Sequence, residues 1–278
     1  MSFTELEIQA ILALLSDSDP DIVAGMRQKL FEIGETAVRH ILSLAPDGSR
    51  AQREAGRVLR RFRESPLEEQ FRRLSVDETG DINLEEGAFI LAKFAYPDLD
   101  VSAYKTRLGR MAFELAPQVA PDDHPLRVIH TLNTFMFKTQ GFWGPRQFDP
   151  DDTYLNRVMD RKRGSPITIA AVYILLARRL ELPIFGIAMP KHFIAKYRGK
   201  NGETIYIDPY HHGQILTPAE CSDMVGMNLT DDLLPEITDR FILFRMMNNL
   251  VNTYLYQADE KRAERLKGLI QILQKGQK

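Results

Sequence analysis

PITIAAVYILLARRLELPIFGIAMPKHFIAKY, residues 166–197, is the stretch on which the fold turns. Its first fifteen residues are apolar nearly all round, a pattern that a helix tolerates only when it is buried on every side. After Glu181-Leu182-Pro183 the period changes. IFGIAM (184–189) and HFIAKY (192–197) are short runs rich in β-branched and aromatic residues, as strands are. TIYID (204–208) makes a third strand-like run, joined to the second by the hairpin loop RGKNGE. A central helix followed by antiparallel strands predicts an α+β core.

The surroundings are helical. Upstream, LEEGAFILAKFAYPD runs from residue 84 and stops near Pro97. DVSAYKTRLGRMAFELAP aligns Tyr104, Leu108, Met111 and Leu115 on one face. PLRVIHTLNTFMFKTQG reads as one helix ending at Gly141, and GFWGPRQFDPDDTY reads as loop. YLNRVMDRKR (154–163) is a short helix closed by Gly164. Downstream, two helices, TDRFILFRMMNNLVNTYLYQ and ADEKRAERLKGLIQILQ, meet at an Ala-Asp-Glu turn.

The first sixty residues carry four helical segments. Ile8, Ile11, Leu12 and Leu15 form one stripe, and Ile22, Val23, Met26, Leu30 and Ile33 another. Asp19 and Pro20 supply a cap and a first-turn proline between them. Thr36 to Leu44 and Ala51 to Phe62 follow. SDSDPDIVAGMRQKLFEIGETAVRHIL resembles a short HEAT-type repeat, whose helix pairs bury their apolar faces by stacking on neighbours. The fourth helix presents Arg50, Arg53, Arg57, Arg60 and Arg61 on one broad face, with Arg63 beyond them. Such a face suits an acidic partner, and it equally suits plain solvation with Glu54 and Glu64 interspersed.

Composition narrows the function classes. The 278 residues are 44% apolar and 27% charged, with a formal charge of −2, so no global field favours nucleic acid or an anionic membrane. One cysteine, Cys221, excludes an internal disulfide and fits a reducing compartment. The start, MSFTELEIQAILALL, lacks a basic n-region, and no window is apolar for the length of a membrane span. These features predict a cytoplasmic chain without membrane or nucleic-acid partners.

The order helix, strand with His192, strand with Asp208 resembles the core of the transglutaminase-like superfamily. The similarity is greatest to a bacterial branch in which that core is followed by tetratricopeptide-type helices. LEEGAFILAKFAYPDLDVSAY, the stretch YLNRVMDRKRG running into the segment quoted first, IYIDPYHHG, and the tail FRMMNNLVNTYLYQADEKRAERL carry it. The resemblance implies a cysteine nucleophile at the start of the central helix. The helix end and the histidine would lower its pKa, and the aspartate would orient the imidazole. His192 and Asp208 match, and the cysteine does not. Counting from the Glu181-Leu182-Pro183 turn through Ala170 places the nucleophile at Pro166. The neighbouring hydroxyls, Ser165 and Thr168, are substitutes or, more plainly, a helix cap and its N3 partner.

Loop length decides whether His192 and Asp208 can meet. With three loop residues, Lys200–Gly202, Gly199 opposes Glu203 and His192 opposes Tyr210, so Asp208 is a diagonal neighbour on the face of His192. With a two-residue Asn201-Gly202 turn the two side chains lie on opposite faces. Asn156 and Arg163 precede the helix start and could bind a ligand or pin the loop, and Trp143 could wall a groove or fill the core. His192, Asp208, His211 and His212 together offer donors for Zn²⁺ or Fe²⁺. Adjacent histidines in extended chain point apart, however, and no H-x-x-x-H pair exists, so no metal is expected. No phosphate-binding glycine motif is present, and no cofactor is expected.

The expected architecture is predominantly helical α+β. It comprises a HEAT-like segment (1–65), a helical subdomain (66–145), a transglutaminase-like core (146–220) and tetratricopeptide-like helices (221–278). The expected function is that of a non-catalytic relative binding a peptide or protein. The rival is an amide hydrolase or acyl transferase using Ser165 or Thr168 with His192 and Asp208.

Overall fold

The computed structural model describes residues 4–64, 67–74, 76, 79–119, 123–199, 202–226 and 234–275. The fold is α+β and mainly helical, with one five-stranded antiparallel sheet. The chain forms two compact units, Met1–Ile90 with Gln271–Lys278, and Leu91–Ile270.

The first unit holds helices α1 (Glu5–Leu15), α2 (Pro20–Ile33), α3 (Glu35–Leu44), α4 (Arg50–Glu64) and α5 (Leu67–Arg72). Asp19 caps α2 with Pro20 in its first turn, as the sequence predicts, and Thr4 and Glu7 close a capping box on α1 that the sequence reading did not include. Leu15, Leu30, Phe31, Val38, Ile41, Ala55 and Phe62 make the core. The expected α2 stripe needs correction at Ile22, which is 41% exposed, while Phe31 is buried against Phe62 with ring centroids 4.4 Å apart. The arginine face of α4 is largely occupied from within. Arg53 donates to the Gly48 carbonyl, Arg57 pairs with Glu54, and Arg61 donates to Gln28 and lies over Phe31. The side chain of Arg63 lies outside the described residues.

Most of α6 (Leu84–Ala92) belongs to the first unit; the second contains its last two residues, then α7 (Val101–Leu115), α8 (Pro125–Asn133), α9 (Leu155–Arg161), α10 (Pro166–Arg179), α11 (Pro218–Val225), α12 (Asp239–Tyr256) and the first part of α13 (Glu260–Lys275). The single helix expected over PLRVIHTLNTFMFKTQG changes character at Thr134, where a π-helical turn runs to Thr139. Every residue of α10 from Ile167 to Ala177 is buried, which accounts for its apolar character on all sides. Arg178 near its C-terminus forms a forked ion pair with Asp239 at the start of α12.

The strands are β1 (Ile184–Met189), β2 (His192–Arg198), β3 (Thr204–Asp208), β4 (Gln214–Leu216) and β5 (Glu236–Ile237), in the order β4-β3-β2-β1-β5. The first three match the expected runs. The outer two are additions, each too short to show a period. The β2–β3 register opposes Arg198 to Thr204 and Ala195 to Ile207, and the Gly199 N–H donates to the Glu203 carbonyl. This is the register of the three-residue loop. Extended by its own alternation, it sets Ile194 against Asp208 and leaves His192 and Asp208 on one face. Cys221 on α11 is buried on a sheet face with Ile187, Met189, Ile194, Tyr206 and Leu216.

Candidate functional site

His192 opens β2 directly after the tight turn Pro190-Lys191, in which Lys191 adopts a left-handed φ of 59°. Asp208 ends β3 and caps the 3₁₀ turn Pro209–His211. One Asp208 oxygen, Oδ1, accepts the N–H groups of Tyr210 (3.0 Å) and His211 (3.3 Å). The other, Oδ2, lies 2.7 Å from His192 Nε2 and 2.7 Å from His211 Nδ1. The carboxylate is fully buried. Burial alone would raise its pKa, but the hydrogen bonds and charges of His192 and His211 outweigh that and hold it below the ordinary carboxylate range.

His211 and His212 point apart, as the sequence reading expects, but by a different geometry. The chain at 209–211 is a 3₁₀ turn and His212 is left-handed (φ 58°), so the alternation of extended chain does not apply. His211 turns to Asp208, while His212 meets the ring of Phe137 edge-on. The sequence signal was available: an aspartate followed by proline favours a capped turn that folds the third residue back. Ligating atoms of His192, Asp208 and His211 lie within 4.8 Å of one another, so among the described residues these three could share a cation. The nitrogens facing Oδ2 are engaged in hydrogen bonds to it.

A cavity of about 450 Å³ opens beside His192. Ser165, Pro166 and Ile167 contribute the start of α10. Phe148 and Tyr210 supply aromatic wall, and Arg245, Asn249, Asn252 and Thr253 come from α12. Tyr210 is fixed at both ends. Its hydroxyl donates to the Pro145 carbonyl, and its ring lies so close to Gly144 that a Cβ there would come within 2.2 Å.

The helix start departs from the expected cap. Ser165 has extended N-cap backbone, yet its side chain caps no N–H. Its hydroxyl is instead 3.0 Å from that of Thr168, which also donates to the Thr153 carbonyl at 3.4 Å. Both residues are buried, and neither hydroxyl bonds to His192. Pro166 occupies the first helical position.

Three expected ligand-binding residues do not line this cavity. Arg163 donates to Asp152 at 2.8 Å and to the Gln147 carbonyl at 3.0 Å, pinning the loop before α10. Asn156 is buried. Trp143 is 44% exposed, neither core nor wall; its backbone bridges to Arg163, with the guanidinium 5.7 Å from its ring. The cavity residues that sequence reasoning missed, Arg146, Lys191, Arg245, Phe148 and Tyr210, come from segments widely separated along the chain and share no motif.

A buried helix delivering its N-terminus to a strand-borne His–Asp pair defines a transglutaminase-like core. The model of the transglutaminase-like superfamily matches residues 102–248, and the chain belongs to that superfamily. A UPF0162 protein of Xylella fastidiosa (strain 9a5c) is 32% identical over 190 residues, covering 64% of this chain and 66% of that protein. UPF0162 protein YchA of Escherichia coli (strain K12) is 27% identical over 118 residues, 42% of this chain and 43% of its own. Human F-box only protein 21 is 29% identical over 135 residues, 45% of this chain but 22% of its own. The chain thus spans just under two thirds of the length of the Xylella relative. No solved structure matches it.

Proposed function

We propose that this chain is a non-catalytic transglutaminase-like protein, acting in the cytoplasm, that binds a peptide or protein segment in the cavity facing His192. The observation that carries the reading is the start of α10. Proline stands where the superfamily's chemistry calls for a thiolate, and the adjacent hydroxyls bond each other and leave the imidazole alone. An imidazole and a carboxylate without a nucleophile still make a rigid polar wall, which suits recognition. On this reading the helices α1–α4 and α12–α13 serve protein contact, as HEAT-like and tetratricopeptide-like surfaces do.

One observation favours a second reading. Ser165 lines the same cavity as His192, so an amide hydrolase or acyl transferase with a serine nucleophile keeps a geometric basis. Treatment with a serine-reactive fluorophosphonate, read by intact-mass spectrometry on wild type and His192→Ala, separates the two. The binding reading expects no adduct on either protein. A wild-type adduct that disappears in His192→Ala overturns it.

A further inference from the structure

The lining of the cavity beside His192 is rich in positive charge, and Asp208 stands behind it as the hydrogen-bond partner of His192. The lining includes Arg146, Lys191 and Arg245 and no aspartate or glutamate. None of these three cations has a carboxylate partner among the described residues. Other arginines of this unit, Arg107, Arg157, Arg161, Arg163, Arg178 and Arg198, are each ion-paired.

Arg245 is the most informative of the three. It is half-buried, and its guanidinium donates to the carbonyls of Met189 (3.2 Å) and His192 (3.3 Å). Those two bonds fix the guanidinium against the turn that presents the imidazole. A guanidinium has five N–H donors in a planar fork, so three remain for another acceptor. Burial lowers the pKa of Arg245, the signature of a charge removed from water without a counter-ion. Holding a partly desolvated cation in that state costs folding free energy, and a bound anion relieves the cost. The surroundings add to this. No side chain caps the N-terminus of α10, which carries partial positive charge at the cavity, and Asn249 and Asn252 offer neutral amides along the same wall.

We infer that the cavity binds an oxyanion, a carboxylate or phosphate group of the ligand, seated on Arg245, with Lys191 and Arg146 guiding it at the exposed mouth. The inference rests on the reading that this cavity is a ligand site, and is independent of whether chemistry follows. A carboxylate and a phosphate share the geometry that a guanidinium fork recognises. Acidic peptide side chains and free phosphate are the two sources to be told apart.

Isothermal titration calorimetry on the full chain at fixed ionic strength tests it. The probes are inorganic phosphate and two hexapeptides of equal length, one rich in glutamate and one in which glutamine replaces each glutamate. The expected result is binding of phosphate or of the glutamate peptide, with the glutamine peptide at least tenfold weaker. Arg245→Gln is expected to weaken binding about tenfold or more, the loss of one charge-assisted hydrogen bond. Because that change also removes two bonds to the main chain, Lys191→Gln and Arg146→Gln serve as second variants. Both residues are exposed, and each substitution should weaken binding and flatten its dependence on salt. Phosphate binding with neither peptide bound supports the oxyanion and overturns the peptide reading. Equal affinity for both peptides, unchanged in all three variants, overturns the oxyanion and leaves the binding site standing. Absence of binding by every probe overturns both.

Discussion

His192 and Asp208 meet through Nε2 and Oδ2 at 2.7 Å, as diagonal neighbours on one face of the β2–β3 ladder. That contact follows from the number of residues in the hairpin loop. It is also the most buried charge-assisted bond of the cavity, and its removal gives the first prediction.

Asp208→Asn leaves two imidazoles facing an amide and is expected to destabilise the fold by about 1–3 kcal/mol at neutral pH. The folded carboxyl titrates below its ordinary value of 3.8. Its stabilising contribution is therefore complete above that value and is lost as pH falls through the lower, folded pKa. Urea denaturation of both proteins should show a gap that is constant near neutrality and closes in strong acid. A gap that widens in acid contradicts the assignment.

Gly144→Ala forces a methyl carbon against the Tyr210 ring, whose hydroxyl is tied to Pro145. The ring has little freedom to withdraw, so a loss of about 1–3 kcal/mol is expected, with displaced aromatic resonances of Tyr210 in NMR spectra. An unperturbed Tyr210 would show that the ring yields easily.

Arg163→Gln withdraws the guanidinium from Asp152, which is wholly buried and already has one oxygen, Oδ1, without a hydrogen bond. Arg161 stands 3.7 Å away and gives partial relief. A cost of about 2–4 kcal/mol is expected in chemical denaturation, whereas ligand affinity should change little in the fraction that stays folded, because Arg163 does not face the cavity.

Lys162 is a half-buried lysine whose pKa is lowered to about 8, first by burial and then by the charge of Arg107. The unfolded chain holds the proton up to about 10.5, so stability should rise with pH between about 8 and 10.5. The rise is modest, because the ammonium is partly hydrated. Lys162→Gln should flatten it, as thermal melts across that range would record.

Much of the second unit was legible in the sequence, because its main elements declare themselves by period. An all-apolar helix and three compact strand runs leave few alternatives, whereas the meeting of His192 and Asp208 stays open in the sequence between two loop lengths until the register decides it. Elements that lack a period were invisible. β4 and β5 have three and two residues, and the π-helical turn at Thr134–Thr139 looks like ordinary helix in FMFKT. The hydroxyl pair was misread for a different reason. Ser165 before Pro166 satisfies every rule for a cap, but its hydroxyl bonds that of Thr168, three residues on, and caps no backbone amide. The cavity's cations went unseen because Arg146, Lys191 and Arg245 are assembled only by folding.

Pro166 at the head of α10 makes the site a measuring device. The helix end, the imidazole and its orienting carboxylate stay assembled around a position that carries no reactive atom. A thiol installed there by Pro166→Cys would report, through its rate of alkylation against pH, how strongly this scaffold acidifies a nucleophile at the head of the helix.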